Sequence, residues 1–244
     1  MRYLVIADIH ANIEALDACL AHAADHGYER TLVLGDIVGY GPDPNAVIDR
    51  VVGLAPVAMV RGNHDKIAFG LQQAEGFNVN ARAAAEWTIN SLTPEHRNWL
   101  IRLPQGPIVV DHAVEICHGS PVDEDEYVFD ELDARRAIDG STERLCLYGH
   151  THVALIFQLA GRVIGMSTPP EEGLSLETEV KYLVNPGSVG QPRDGNPHAA
   201  YAIFDTGTQR VEMYRVPYPV ERTQQKMASA GLPEPLIRRL AAGR

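Results

Sequence analysis

Apolar residues in this chain fall first into short unbroken runs and then into spaced stripes. Tyr3-Leu4-Val5-Ile6-Ala7 is a continuous apolar run rich in strand formers, which predicts a strand buried on both faces. Over residues 12–26 the apolar positions Ile13, Leu16, Leu20 and Ala23 recur at three- and four-residue steps, the stripe of an amphipathic helix. Asn12 suits its N-cap and Gly27 its end. Residues 31–34 predict a second buried strand, 45–52 a short helix and 57–60 a third strand. That alternation is the pattern of parallel βαβ units.

The middle of the chain changes period. Residues 80–92 are Ala-rich and read as helix, and Thr93-Pro94-Glu95 reads as an N-cap with proline in the first helical position. Trp99 and Leu103 then share a face, and the Trp87 and Trp99 faces are expected in the core. Strands are expected again at 108–110 and 114–117, joined by a turn at Asp111-His112. Further strands follow at 145–148, 154–159, 162–165, 182–184, 200–204 and 211–216, spaced closely enough to predict hairpins and an antiparallel contribution. Residues 168–180, polar, acidic and Pro-bearing, are expected to form an exposed excursion, and residues 218–244 a helical tail. Without a repeat or a linker, 1–244 reads as a single α/β domain.

Composition narrows the function. With 45% hydrophobic and 22% charged residues the chain is an ordinary globular protein, and no segment reaches the ~20 apolar residues of a membrane span. Three scattered cysteines without a CxxC pair, and an N-terminal apolar run too short for a signal peptide, point to reduced thiols and a cytoplasmic location. A net charge of -11 argues against a general nucleic-acid binder. A phosphate-directed function therefore needs a local source of positive charge, which metal ions supply.

Metal-capable side chains follow the predicted strands. Asp8-Ile9-His10 follows the first, Gly35-Asp36 the second and Gly62-Asn63-His64-Asp65 the third. His118-Gly119 and Gly149-His150-Thr151-His152 follow the strands at 114–117 and 145–148. Strand ends are where open α/β sheets place their sites. In extended chain, residues i and i+2 point the same way, so Asp8 with His10, and His150 with His152, are each expected to face one centre. Ligands restricted to oxygen and nitrogen suit Mn, Fe, Zn, Ni or Mg without selecting among them.

These five motifs, in this order, resemble those of the calcineurin-like metallophosphoesterase superfamily. The likeness is nearest to its small prokaryotic members, through residues 35–42 and 185–195 as well. The resemblance implies a four-layer α/β/β/α sandwich and a metal-dependent phosphatase or phosphodiesterase with two divalent ions. It implies Asp8, His10 and His152 on the first ion, Asp36 bridging, and Asn63, His118 and His150 on the second. It assigns His64 the role of general acid, steadied by Asp65, and implies attack by a metal-bridging hydroxide. Two such ions leave the centre at about +1, enough to draw a phosphate into an acidic protein.

The expected substrate is a small phosphate ester or a phosphopeptide, with nucleic acid expected only as a small nucleotide. A serine/threonine protein phosphatase is the first alternative. The related Asp-x-x-Asp-Arg-Gly pattern is replaced here by Asp36-Ile37-Val38-Gly39-Tyr40-Gly41, which speaks against it. A nuclease or an inactive interaction module are further alternatives, the former lacking DNA-gripping regions and the latter at odds with intact motif histidines. Arg61 and Arg193 are the candidate phosphate contacts, whereas Asn185 reads as structural.

Overall fold

The computed structural model describes residues 1–244. In chain order its elements begin β1 (Arg2–Ile6), α1 (Ile13–His26), β2 (Arg30–Val33), α2 (Pro44–Gly53), β3 (Ala58–Met59), α3 (Asn63–Phe69), α4 (Val79–Ser91) and α5 (Pro94–Leu100). There follow β4 (Ile108–Val110), β5 (Val114–Ile116), α6 (Glu131–Gly140), β6 (Leu145–Leu147), β7 (Leu155–Ala160), β8 (Val163–Ser167) and β9 (Leu174–Ser175). The chain ends with β10 (Val180–Asn185), β11 (Ala199–Asp205), β12 (Arg210–Val216), α7 (Val220–Ser229) and α8 (Glu234–Ala242).

Two mixed six-stranded sheets result, ordered β3-β2-β1-β11-β12-β9 and β4-β5-β6-β10-β7-β8. The early βαβ units give parallel β1, β2 and β3, and β11 adds antiparallel to β1 with Leu4 opposite Ile203. In the second sheet β5, β6 and β10 run parallel, while the expected hairpin β7–β8 is antiparallel.

Strand periodicity explains the layering. Leu4 and Ile6 point to one side of the first sheet, against Leu16, Cys19 and Leu20 of α1. Tyr3, Val5 and Ala7 point to the other, against Val114, Ile116, Leu145 and Leu147 of the second sheet. Both faces of β1 are covered, which is why its sequence is apolar without alternation. The outer face of the second sheet, with Cys146, Tyr148, Phe157 and Leu183, packs on Ala134, Ala137 and Ile138 of α6. The order of layers is thus α/β/β/α. In the tail, Met227 of α7 and Leu236, Ile237 and Leu240 of α8 pack on Tyr40 and on Ala81 and Ala84 of α4.

Three features depart from the sequence reading. Helix α3 was not expected, because residues 63–68 are buried all round and show no stripe. Helix α6 was not expected either, since it buries only Ala134, Ala137 and Ile138 among charges; Asp130 caps it by accepting from the Leu132 and Asp133 amides at 2.9 Å. Residues 168–180 are not wholly an exposed excursion. Leu174 and Leu176 alternate onto one face and reach the core between the sheets, and β9 pairs with β12 as an edge strand.

Candidate metal centre

The motif residues gather at the C-terminal ends of β1, β2, β3, β5 and β6. They do not arrive in extended chain, as the i, i+2 argument supposed. Asp8, His10, Asp36, His150 and His152 have φ of 50°, 48°, 50°, 67° and 59°, a left-handed conformation costing a non-glycine residue about 1–2 kcal/mol. Neighbouring backbone holds it: the Asp8 amide donates to the Gly35 carbonyl (3.1 Å), His10 to Asp36 (2.9 Å), and Gly190 to Asp8 (3.0 Å). Strain of this kind, kept by several independent bonds, concentrates at functional sites.

Two ligand groups share one carboxylate. Asp8, His10, Asp36 and His152 form the first and Asp36, His118 and His150 the second, the ligand atoms in each lying within 4.8 Å of one another. His150 and His152 therefore fall in adjoining groups rather than one. Asp36 Oδ2 is 3.5 Å from both His10 Nε2 and His118 Nε2, while Oδ1 accepts from the His64 amide at 2.9 Å. Asn63 Oδ1 lies 3.3 Å from His118 Nε2, within the second group. Gly62 is required here, since a Cβ on it would run into the Asp36 carboxylate.

The donor set fits a cation. His10, His118 and His152 each turn Nδ1 to a backbone carbonyl, of Val38 (3.2 Å), Leu34 (2.8 Å) and Gln191 (2.7 Å). Donation there leaves the Nε2 of each ring, once neutral, a lone pair, the arrangement typical of metal-bound histidine. His10 Nε2 and His152 Nε2 then face each other at 3.1 Å with no proton between them. The buried His150 Nε2 has no partner at all. Such a cluster of lone pairs is repulsive until a positive charge joins it.

The electrostatics favour a positive charge at this cluster. Burial, reinforced by Asp36, pushes the Asp8 carboxyl up to about 7. Burial would also lower His118, but the Asp36 and Asp8 carboxylates override it and hold the ring up to about 10. Burial keeps His10, His150 and His152 well below the ordinary histidine range.

His64 is buried beside this cluster, its ring 4.9 Å from His10 and 4.6 Å from Phe77. Burial, with Arg193 and His118 adding, lowers it to about 4. Asp65 makes no hydrogen bond to that ring. Its carboxylate accepts from the amides of Ile37 (3.0 Å), Val38 (3.1 Å) and Gly62 (2.9 Å), and so braces the turns that carry Asp36 and His64.

The two arginines separate cleanly. Arg61 is committed to Glu124 through two bonds of 2.9 and 3.0 Å. Arg193 forms no ion pair: it bonds Gln191 Oε1 at 2.9 Å, lies 5.6 Å from the centre of the Tyr40 ring, and keeps a buried, unpartnered Nε. Buried Asn185 is structural, donating to the Gly149 carbonyl (2.6 Å) and Thr151 Oγ1 (3.0 Å) and accepting from the Gly187 amide (2.8 Å). Sequence reasoning missed Tyr40, Phe77 and Tyr127, loop aromatics that pack on site histidines and carry no periodic signal. The remaining histidines lie outside both groups; His22 bonds the Tyr201 hydroxyl, and His96 sits between Asn45 and Asp49.

Comparison with known proteins places this geometry. The model of the calcineurin-like phosphoesterase superfamily domain matches residues 1–209. A metallophosphoesterase from Sphaerobacter thermophilus is 41% identical with a TM-score of 0.89, the match covering 100% of this chain and 99% of that one. An uncharacterised protein of Methanocaldococcus jannaschii is 34% identical over 98% of this chain and 97% of its own length. A hypothetical protein from Pyrococcus horikoshii OT3, 23% identical, shares the fold with a TM-score of 0.82 over 100% of this chain and 98% of that one. The chain belongs to the calcineurin-like phosphoesterase superfamily. It is a metal-dependent phosphoesterase, a hydrolase of phosphoric esters, and no helix is long and apolar enough to cross a membrane.

Proposed function

We propose that the enzyme hydrolyses small phosphate esters at a dinuclear centre. Asp8, His10 and His152 would hold one divalent ion, Asn63, His118 and His150 the other, and Asp36 both. The observation that carries this reading is the single Asp36 oxygen standing 3.5 Å from a histidine of each group. Mn, Fe, Zn, Ni and Mg all suit these donors. Divalent ions held there supply Lewis acidity toward phosphoryl oxygens and toward water.

The chain's own residues do the rest. Arg193, a cation without a carboxylate partner, contacts a phosphoryl oxygen through its guanidinium fork. His64 delivers a proton to the leaving oxygen. The chain alone holds its ring near 4, so the anionic phosphoryl group must help it to carry that proton. Asp65 keeps the backbone of Ile37, Val38 and Gly62 in register beneath both groups. The packing of the tail on Tyr40 and α4 supports reading 1–244 as one domain.

The test is hydrolysis of activated aryl monoesters and diesters against a series of divalent ions. Activity is expected to require an ion and to vanish on chelation, and Arg193→Gln to raise KM. Full turnover by a preparation verified to be metal-free overturns the reading.

A further inference from the structure

A cavity of about 200 Å³ adjoins the second ligand group, lined by Asn63 and His150 at the centre and by Gln72, Gln73, Phe77, Asp125 and Tyr127 beyond it. Two of its walls are aromatic, and each ring is already seated on a site histidine. The Tyr127 ring lies 3.8 Å from that of His150, with 27° between the planes. The Phe77 ring lies 4.6 Å from that of His64. Phe129 stacks behind Tyr127 at 5.6 Å and 5°, which fixes the plane of the tyrosine. Tyr127 and Phe129 are nevertheless 47% and 52% exposed, an apolar surface left to water beside a catalytic centre.

We infer that this cavity binds the base of a nucleotide substrate, with Phe77 as its stacking surface and the exposed edge of Tyr127 as the opposite wall. The inference rests on the phosphoesterase reading of the adjoining centre. Chemistry gives the direction: the leaving group departs on the side of the residue that protonates it, and Phe77 is the ring against His64. Size gives the class. Pockets that enclose drug-sized ligands run roughly 300–1,000 Å³, so this smaller space takes one ring system rather than a length of peptide. Polarity separates a base from a plain phenyl ring. Gln72 and Gln73 bring exposed carboxamides to the lining, groups that pair with the hydrogen-bonding edge of a heterocycle. The Asp125 carboxylate is held by Lys66 Nζ at 2.7 Å through both oxygens, so it adds no unbalanced negative charge against a phosphate.

The test compares adenosine 5′-monophosphate with ribose 5-phosphate, which presents the same ester bond and leaving alcohol without the base. Base–aromatic stacking is worth enough to favour the nucleotide in kcat/KM by roughly ten-fold or more. Phe77→Leu should shrink that ratio several-fold and Tyr127→Leu by less, a readout unaffected by any general loss of activity in the variants. Adenosine should also bind the chelated protein in a saturation-transfer NMR experiment, and more weakly to Phe77→Leu. Equal kcat/KM for the two esters overturns the base site and leaves the phosphoesterase reading intact. Tighter binding of phenol than of adenosine in the same NMR experiment overturns it too, assigning the cavity to a plain phenyl group. Adenosine binding in a protein that hydrolyses no ester with any ion supports the base site and overturns the metal reading.

Discussion

Asn185→Ala removes three hydrogen bonds from a residue that is fully buried and does not titrate. The buried Gly187 amide loses its only partner, while the Gly149 carbonyl still accepts from the Thr151 amide at 2.7 Å and the Thr151 hydroxyl from the Val153 amide at 3.4 Å. Each orphaned buried group costs about 1–3 kcal/mol. That one orphan, with the weaker bonding left at Gly149 and Thr151, gives a loss of about 2 kcal/mol. Asn185→Asp should be worse than isosteric substitution suggests, because a carboxylate oxygen would then face the Gly149 carbonyl. The assay is urea unfolding of the chelated protein, so that bound metal does not mask the change. With a slope of about 1–3 kcal/mol per molar, the midpoint should fall by about 0.7–2 M. Because Gly149 precedes His150 and His152, metal affinity should weaken about 10- to 100-fold as well. A midpoint and a metal affinity both equal to wild type would refute the claim that Asn185 holds this loop.

Two further outcomes follow from the site. His64→Ala should keep both ions and slow turnover about 10²–10⁴-fold; loss of metal in this variant would instead move His64 into the ligand set. Metal binding should release protons, because burial raises Asp8 to about 7 and the Asp36 carboxylate, overriding burial, raises His118 to about 10. Both groups must be deprotonated to act as ligands, so apparent affinity should strengthen by roughly ten-fold per unit as pH rises from 7 to 9, where His118 still holds its proton and Asp8 has largely lost its own. Calorimetric titration in buffers of different ionisation enthalpy reads that release directly, and a proton count of zero would contradict it.

Much of the candidate centre was legible in the sequence because its residues stand close behind apolar runs. Asp8 behind β1, Asp36 behind β2 and His150 behind β6 needed only strand prediction and the rule that sites lie at strand ends. The pairing of elements into four layers was not legible from periodicity, which reports that both faces of β1 are covered and not by what. The split of His150 and His152 between two groups depends on left-handed backbone at both residues, which no residue type there announces. Helix α3 hid its period by being buried on every side. Tyr40, Phe77 and Tyr127 reach the site from loops, and Tyr40 joins Ala81, Met227 and Leu240 in one core across some two hundred residues of chain. Contacts of that range leave no local pattern.

Metal content of the purified enzyme, counted by mass spectrometry alongside Asp36→Asn, tests the shared carboxylate most directly. The account predicts two divalent ions per wild-type chain, and weakened binding of both in the variant with activity lost in step. One ion per active wild-type chain, or a variant that releases one ion and holds the other at wild-type affinity, would contradict it.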